Sequence, residues 1–203
     1  MAPQNKAYKP SHDIRQRIAE YISPIIKKSS RSIQVRLPQT LVSWGKVRIM
    51  GGDTIEVHSE HAIENKRSRS WVKYELLGVT KDRNNNVIDE NAEICYGRLE
   101  LILEFNVPGD DFWGLWKRSL RLLAVVTPYR TNGKNAATTL TVFRESDKRA
   151  TIALDLQSIT NAIGRIYREQ KGWAIVDRSD EYSRTIFVHG GDPEEPDDDD
   201  ALL

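Results

Sequence analysis

Histidines, one cysteine and scattered carboxylates are the side chains of this 203-residue chain with the chemistry for catalysis or metal binding. His58 and His61 stand three apart with Glu60 and Glu64 nearby, a spacing that could place two ligands on one helical turn. Zinc needs a third protein ligand, and no companion motif supplies it. His58 also closes a strand pattern, so the pair reads as loop histidines. Cys95 has no histidine near it in sequence and no thiol-enzyme signature around it; just before a strand, it reads as a small buried hydrophobe. As the lone cysteine it permits neither an internal disulfide nor a cysteine-based zinc site. There is no G-x-S-x-G elbow. Gly51-Gly52-Asp53 is followed by a strand pattern, whereas a phosphate loop needs a helix whose N-terminus faces the anion. It is a turn.

Two-metal nucleases need about three converging acids, and Asp53, Glu75, Asp82, Glu100, Glu104, Asp155 and Asp177 are available. Nothing in one sequence selects a triad from 29 acids. Glu100 and Glu104 share a strand face, where Arg98 and Arg121 could pair with them in a surface ladder. No catalytic residue, metal site or cofactor is therefore assigned, and the chain reads as a non-enzyme. A metal-dependent hydrolase ranks last among the alternatives.

The positive signal lies in the cations. Lys46 and Arg48 project from one face of a hairpin beside Trp44, Lys66, Arg67 and Arg69 follow in a loop, and Lys73 sits on the next strand near Trp71. Basic side chains with aromatic rings between them are how a surface that reads a nucleic-acid backbone is built. The plainer alternative weighs slightly more: Trp44 and Trp71 are core, and the cations keep a sheet in solution.

The elements that must position these residues are mostly strands. Residues 1–10 read as a disordered lead. Ser11 or His12 opens a helix over 12–23, with Ile14, Ile18 and Ile22 on one face, and Pro24 ends it. An irregular basic stretch follows. Ile33, Val35 and Leu37 then alternate as a strand ended by Pro38. WGKVRIM–GGD–TIEVH is the clearest hairpin, and residues 59–70 form a loop. WVKYELL is a half-buried strand, 81–91 a surface loop, and YGRLELILEF a long strand with Leu99, Leu101, Leu103 and Phe105 on one side. DDFWGLWKR is a short helical turn capped by Asp110 or Asp111. LRLLAVVTPY is a central strand covered on both faces. TTLTVF and ATIALDL are strands, IGRIYRE–QKG–WAIVDR is a second hairpin, and RTIFV is the last strand. The fold class is mainly β, a barrel- or sandwich-like antiparallel sheet of about nine strands with an N-terminal helix and one short helix.

A formal net charge of +1 hides a polarity along the chain. Residues 1–83 carry 16 Lys and Arg against 8 acids, whereas 190–203 carry seven acids and no base. Either the basic part meets a polyanion or the tail folds back to screen it. The division expected is a lead over 1–10, one β-rich domain over 11–189, and a disordered acidic tail over 190–203. No apolar run suits a signal peptide or a membrane span, so nucleus or cytoplasm is the expected location, with no membrane partner.

Several strings occur in a recognisable order: SWGKVRIMGGDTIEV, RSRSWVKYELL, YGRLELILEF, RLLAVVTPY, then DLQSITNAIGRI with WAIVDRS. Over about residues 30–188 the set resembles the β-rich region near the C-terminus of transposase-like proteins of mushroom-forming fungi (basidiomycetes), of the CACTA and Kyakuja-Dileera-Zisupton kinds. In those proteins the nuclease core with its acidic triad lies upstream. The resemblance thus implies a non-catalytic accessory domain of transposase origin, with DNA, chromatin, an upstream transposase core or another protein as partner. It carries over no catalytic residue, because nothing here matches the acidic motifs. The order Y-G-x-L then W-x-I-V-D is also similar to the plant CACTA accessory domain and, by fold-level analogy alone, to the bromo-adjacent-homology barrel. A protein-interaction or structural module without nucleic-acid binding is the second reading.

Overall fold

The computed structural model describes residues 5–49, 52–59, 68–81 and 87–179, with the backbone alone for 78–81 and 87–91. The chain opens with β1 (Asn5–Tyr8), then α1 (His12–Ile26) and α2 (Ser30–Arg36). A short β2 (Leu41–Trp44) leads into the hairpin of β3 (Lys46–Arg48) and β4 (Thr54–Glu56). Two long strands follow, β5 (Trp71–Lys81) and β6 (Val87–Asn106), and a 3-10 turn over Asp111–Trp116 brings in β7 (Leu120–Tyr129). The remaining strands are short: β8 (Val142–Phe143), β9 (Ile152–Asp155), β10 (Ile159–Ala162), β11 (Gly164–Arg168) and β12 (Gly172–Val176).

β6 organises the main sheet. Along one edge it pairs β5 through its first half and β2 through its second; along the other it pairs β7, which pairs β9. Every pairing is antiparallel, and the strand order is open, running from β1 to β10. The fold is therefore mainly β and sandwich-like, not a closed barrel. Two smaller sheets, β3–β4 and β11–β12–β8, complete it.

A bulge in β6 decides which side chains face which layer. Leu99 stands opposite Val126 but Leu101 opposite Val125, so Glu100 is the extra residue and the alternation changes phase there. Leu101, Leu103 and Phe105 face α1 with Leu123 and Val125, while Leu99 and Ile102 face the other way with Val72, Tyr74 and Val126. The expected single row of Leu99, Leu101, Leu103 and Phe105 is broken for that reason, and Glu100 and Glu104 do not share a continuous face. Arg98 does pair with Glu100, at 2.9 Å, but Arg121 stacks over Trp116 instead.

The N-terminal region differs most from expectation. Residues 5–8, expected within a disordered lead, pair with β2. Ser11 caps α1 by accepting from the Ile14 N–H, and Ile18, Ala19 and Ile22 are fully buried. Burying each isoleucine contributes roughly 2 kcal/mol, and the helix runs past Pro24 to Ile26, where Lys27 in the left-handed conformation ends it. The second correction is α2, where a strand was expected over 33–37. Ser29 accepts from the Ser32 N–H at its start, and the Arg15 guanidinium donates to the carbonyls of Gln34, Leu37 and Pro38 at 2.6–2.9 Å at its end. Those contacts satisfy the orphan groups of a very short helix. Ile33 and Leu37 are buried one turn apart while Val35 is 80% exposed, which a strand could not produce.

The hairpin expected over 44–58 is present as β3 and β4, with Val47 opposite Ile55, and so is the second, with Trp173 opposite Tyr167. Asp110 caps the short turn, accepting from the Phe112 N–H, and β7 is covered on both faces. Two expectations fall short. Trp71, Val72, Lys73 and Tyr74 are all buried, so β5 is covered on both faces at its start. Much of the segment expected as a loop over 81–91 belongs to β5 and β6, paired in continuous register from Thr80 opposite Asp89, with an irregularity before Lys81 opposite Val87. What was expected of residues 1–4, 50–51, 60–67, 82–86 and of the last strand and tail from 180 onward lies outside the described residues.

Candidate nucleic-acid interface

Of the seven cationic and aromatic candidates, two share an exposed strand face and a third, Arg69, is exposed on the segment bonded to that ribbon. In β3 and β4 the inner face carries Val47 and Ile55, packed with Val72, Tyr74 and Leu99, which leaves Lys46 and Arg48 on the outer face. Both are exposed. Arg69 joins them because its carbonyl accepts from the Glu56 N–H at 3.1 Å, extending the ribbon by a third, irregular segment. Glu56 lies directly opposite Lys46 and is the one acid in this row. Among the described residues, none of Lys46, Arg48 and Arg69 is in an ion pair; Arg48 donates from Nε to the Gly52 carbonyl at 3.2 Å. Such a surface can contact phosphate oxygens.

Trp44 and Lys73 sit elsewhere. Trp44 is half-buried against the inner core, with its indole N–H donating to Glu104 at 3.2 Å. It anchors the strand that leads into the hairpin. Lys73 is no surface cation. Its ammonium meets Asp177 at 3.1 Å and Ser179 at 2.8 Å, with 8% of its side chain exposed and none of Asp177's. The alternation in WVKYELL could not reveal this, because the partner is a carboxylate a hundred residues on. Lys66 and Arg67 lie outside the described residues.

The Lys73–Asp177 pair is the centre of a buried polar cluster. Tyr96 donates its hydroxyl to Asp177 at 2.9 Å and accepts from the Ala136 N–H at 2.8 Å. Burial by itself raises Asp177, but hydrogen bonds from Ser179, Lys73 and Tyr96 outweigh it and hold the carboxyl below the usual aspartate range. Burial also pushes the Tyr96 hydroxyl up. Every donor here is engaged within the chain, which makes the cluster a clamp between β5, β6 and the segment after β12.

The other chemical candidates find structural roles. Burial, with Glu93 adding to it, pushes the Cys95 thiol up to about 11, which keeps it protonated beside Tyr74. Asp53 accepts from the Ala162 N–H at 2.9 Å, and Asp155 from the Gln157 N–H at 2.9 Å. His58 is tied through its backbone to Leu99, whereas His61 lies outside the described residues. Among the described residues no three His, Cys, Asp or Glu side chains group as metal ligands, and no helix is long and apolar enough to cross a membrane.

No family model, curated protein or solved structure matches the chain. The candidate interface therefore stands on its own geometry: an exposed hairpin face and its neighbouring segment, with three cations that make no ion pair among the described residues, and one acid.

Proposed function

We propose that this chain is a non-catalytic accessory module that binds DNA through the outer face of the β3–β4 hairpin. The observation that carries the reading is the contrast within one ribbon, apolar inside and cationic outside, with Lys46, Arg48 and Arg69 free of ion pairs among the described residues. Three such cations near a polyanion gain by releasing condensed counterions, a term that needs no base-specific contact. Origin in a transposase-like protein is supported by the ordered strings across residues 30–188 alone, and chromatin or an upstream transposase core would be partners in that setting.

Titrating a labelled duplex with the full chain at several salt concentrations tests this. Three phosphate contacts predict a log–log salt slope of about −3. Replacing Lys46, Arg48 and Arg69 together by Ala should remove most of the affinity and flatten the slope. Unchanged binding in that variant would eliminate the face.

A second reading, a protein-interaction module, is favoured by one feature. Ile25 and the fully exposed Leu115 border a shallow apolar groove of about 240 Å³ between the end of α1 and the 3-10 turn. A chain that ignores duplex DNA at low salt but changes its mass with protein concentration would support it.

A further inference from the structure

The β11–β12 hairpin holds an arginine in an unusual place. Arg165 and Tyr167 alternate with Ile166, so both lie on the same face of β11 as Trp173 and Ile175 of β12. That face looks across to Trp71 on the main sheet, and the Arg165 guanidinium carbon sits 4.4 Å from the Trp71 ring centroid and 3.9 Å from that of Trp173. Stacking on two indoles fixes the group in position with little remaining rotamer freedom. Yet among the described residues no carboxylate, carbonyl or hydroxyl accepts a hydrogen bond from it. A half-buried guanidinium with its donors unanswered is prepared for an oxyanion that approaches past the rings.

Two neighbours indicate which oxyanion. Tyr167 packs edge-on against Trp173, with centroids 5.2 Å apart, and leaves 61% of its surface exposed. An exposed ring beside a fixed cation suits an unpaired base, since base stacking tolerates any sequence and a duplex hides its base faces. The Arg98 cation and the Glu145 carboxylate both lie within electrostatic reach of Arg165, and the sequence stretch 130–171 carries eight Lys and Arg against four acids, a balance that favours a phosphate over a neutral ligand.

We propose that Arg165, Trp173 and Tyr167 form a contact for single-stranded nucleic acid, with a backbone phosphate on the Arg165 guanidinium and an adjacent base on the Tyr167 ring. The proposal rests on the nucleic-acid reading above and adds to it a second site with a different preferred form of the polymer.

The test uses the full chain and a fluorescein-labelled twelve-nucleotide oligothymidylate, read by anisotropy, beside the duplex titration. Tyr167→Ala should weaken oligonucleotide binding roughly 5- to 150-fold, the range for losing one stacked base, and leave duplex binding unchanged. Arg165→Lys keeps the charge and loses the planar fork, so it should weaken the oligonucleotide about tenfold. Tyr167→Ala decides the matter even where the arginine variant folds poorly, because that ring is largely exposed. Wild-type affinity in Tyr167→Ala overturns the inference. So does a wild type that binds duplex and ignores the oligonucleotide, and in that case the hairpin reading survives. If Tyr167→Ala loses the oligonucleotide while the triple alanine variant changes neither titration, the inference stands and the hairpin face falls. A chain that binds neither polymer refutes both.

Discussion

The β3–β4 and β11–β12 hairpins are both short antiparallel ribbons turned on a glycine at positive φ, Gly52 at 89° and Gly172 at 94°. They are held very differently. The first rests on the sheet through Val47 and Ile55, with the Ala162 N–H donating to Asp53 beside its turn and the Glu56 N–H to the Arg69 carbonyl along its edge. The second lies under Trp71, Tyr129 and Phe143, and the residue that follows it, Asp177, is sealed into a buried ion pair. Turn chemistry thus sets where a ribbon forms, and what lies beyond its inner face sets how firmly it is held. A loosely tied ribbon with cations outside suits a contact surface, and a clamped one suits a fixed receptor.

The largest effect that separates the two hairpins should come from Asp177. Asp177→Asn leaves the Lys73 ammonium buried without its counter-charge, and breaking such a pair costs about 3–5 kcal/mol, or roughly 10 °C in Tm for a chain of this size. Thermal unfolding followed by circular dichroism reads it directly. Its pH dependence carries a sign. Because the folded carboxyl lies below the ordinary value, its contribution is fully present above the unfolded aspartate pKa and is lost as pH falls through the folded one. Between pH 5 and pH 3 or so the wild type should therefore lose more stability than Asp177→Asn. Parallel curves would mean that the carboxylate is not held by its three donors.

Next in size is the pair of turn glycines. A Cβ on Gly172 would lie 2.5 Å from the Phe143 carbonyl oxygen and 3.0 Å from Cγ of Arg144, besides the positive φ. Gly172→Ala should cost about 2–4 kcal/mol, combining backbone strain with a clash against main chain. At Gly52 the nearest atom to a new Cβ is an Arg48 nitrogen at 3.9 Å, so Gly52→Ala meets the φ penalty alone, about 1 kcal/mol. Equal losses in the two variants would erase the distinction between a clamped and a free turn.

Both hairpins and the long strands β5, β6 and β7 were legible because alternation, apolar runs and glycine turns are local signals. The corrections share one cause, partners distant in the chain. Ile33, Val35 and Leu37 alternate as a strand would, but the Arg15 guanidinium donates to the carbonyls at the end of α2, a cap that lets seven residues stay helical. The phase change at Glu100 follows from pairing with β7, since Leu101 must meet Val125 for α1 to cover it. The site divides the same way. Lys46 and Arg48 follow from the hairpin's own period, while Lys73 looks identical in sequence and is claimed by Asp177. Arg165 carried no sequence signal, because nothing in GRIYR announces two indoles arriving from Trp71 and Trp173.

A smaller effect should come from Asp53. Asp53→Ala removes the acceptor for the Ala162 N–H and should cost about 1–2 kcal/mol, less than the loss at Asp177 because no charge is left buried. It also frees the turn of the cationic hairpin, so duplex affinity should fall with it if that ribbon must be held in place to bind.

The smallest stability change belongs to the cations themselves. Lys46 and Arg69 make no ion pair among the described residues, and Arg48 has one exposed bond to its own turn. Single alanine substitutions there should shift unfolding by no more than about 0.5 kcal/mol in urea. Lys46→Ala removes a cross-strand partner of Glu56 and so belongs at the upper end of that range. A loss above about 1 kcal/mol at any of the three would show that the cation stabilises the ribbon. Three near-zero values would instead leave their charge available to a ligand, the condition that the β3–β4 face must meet and that Lys73, buried against Asp177, does not.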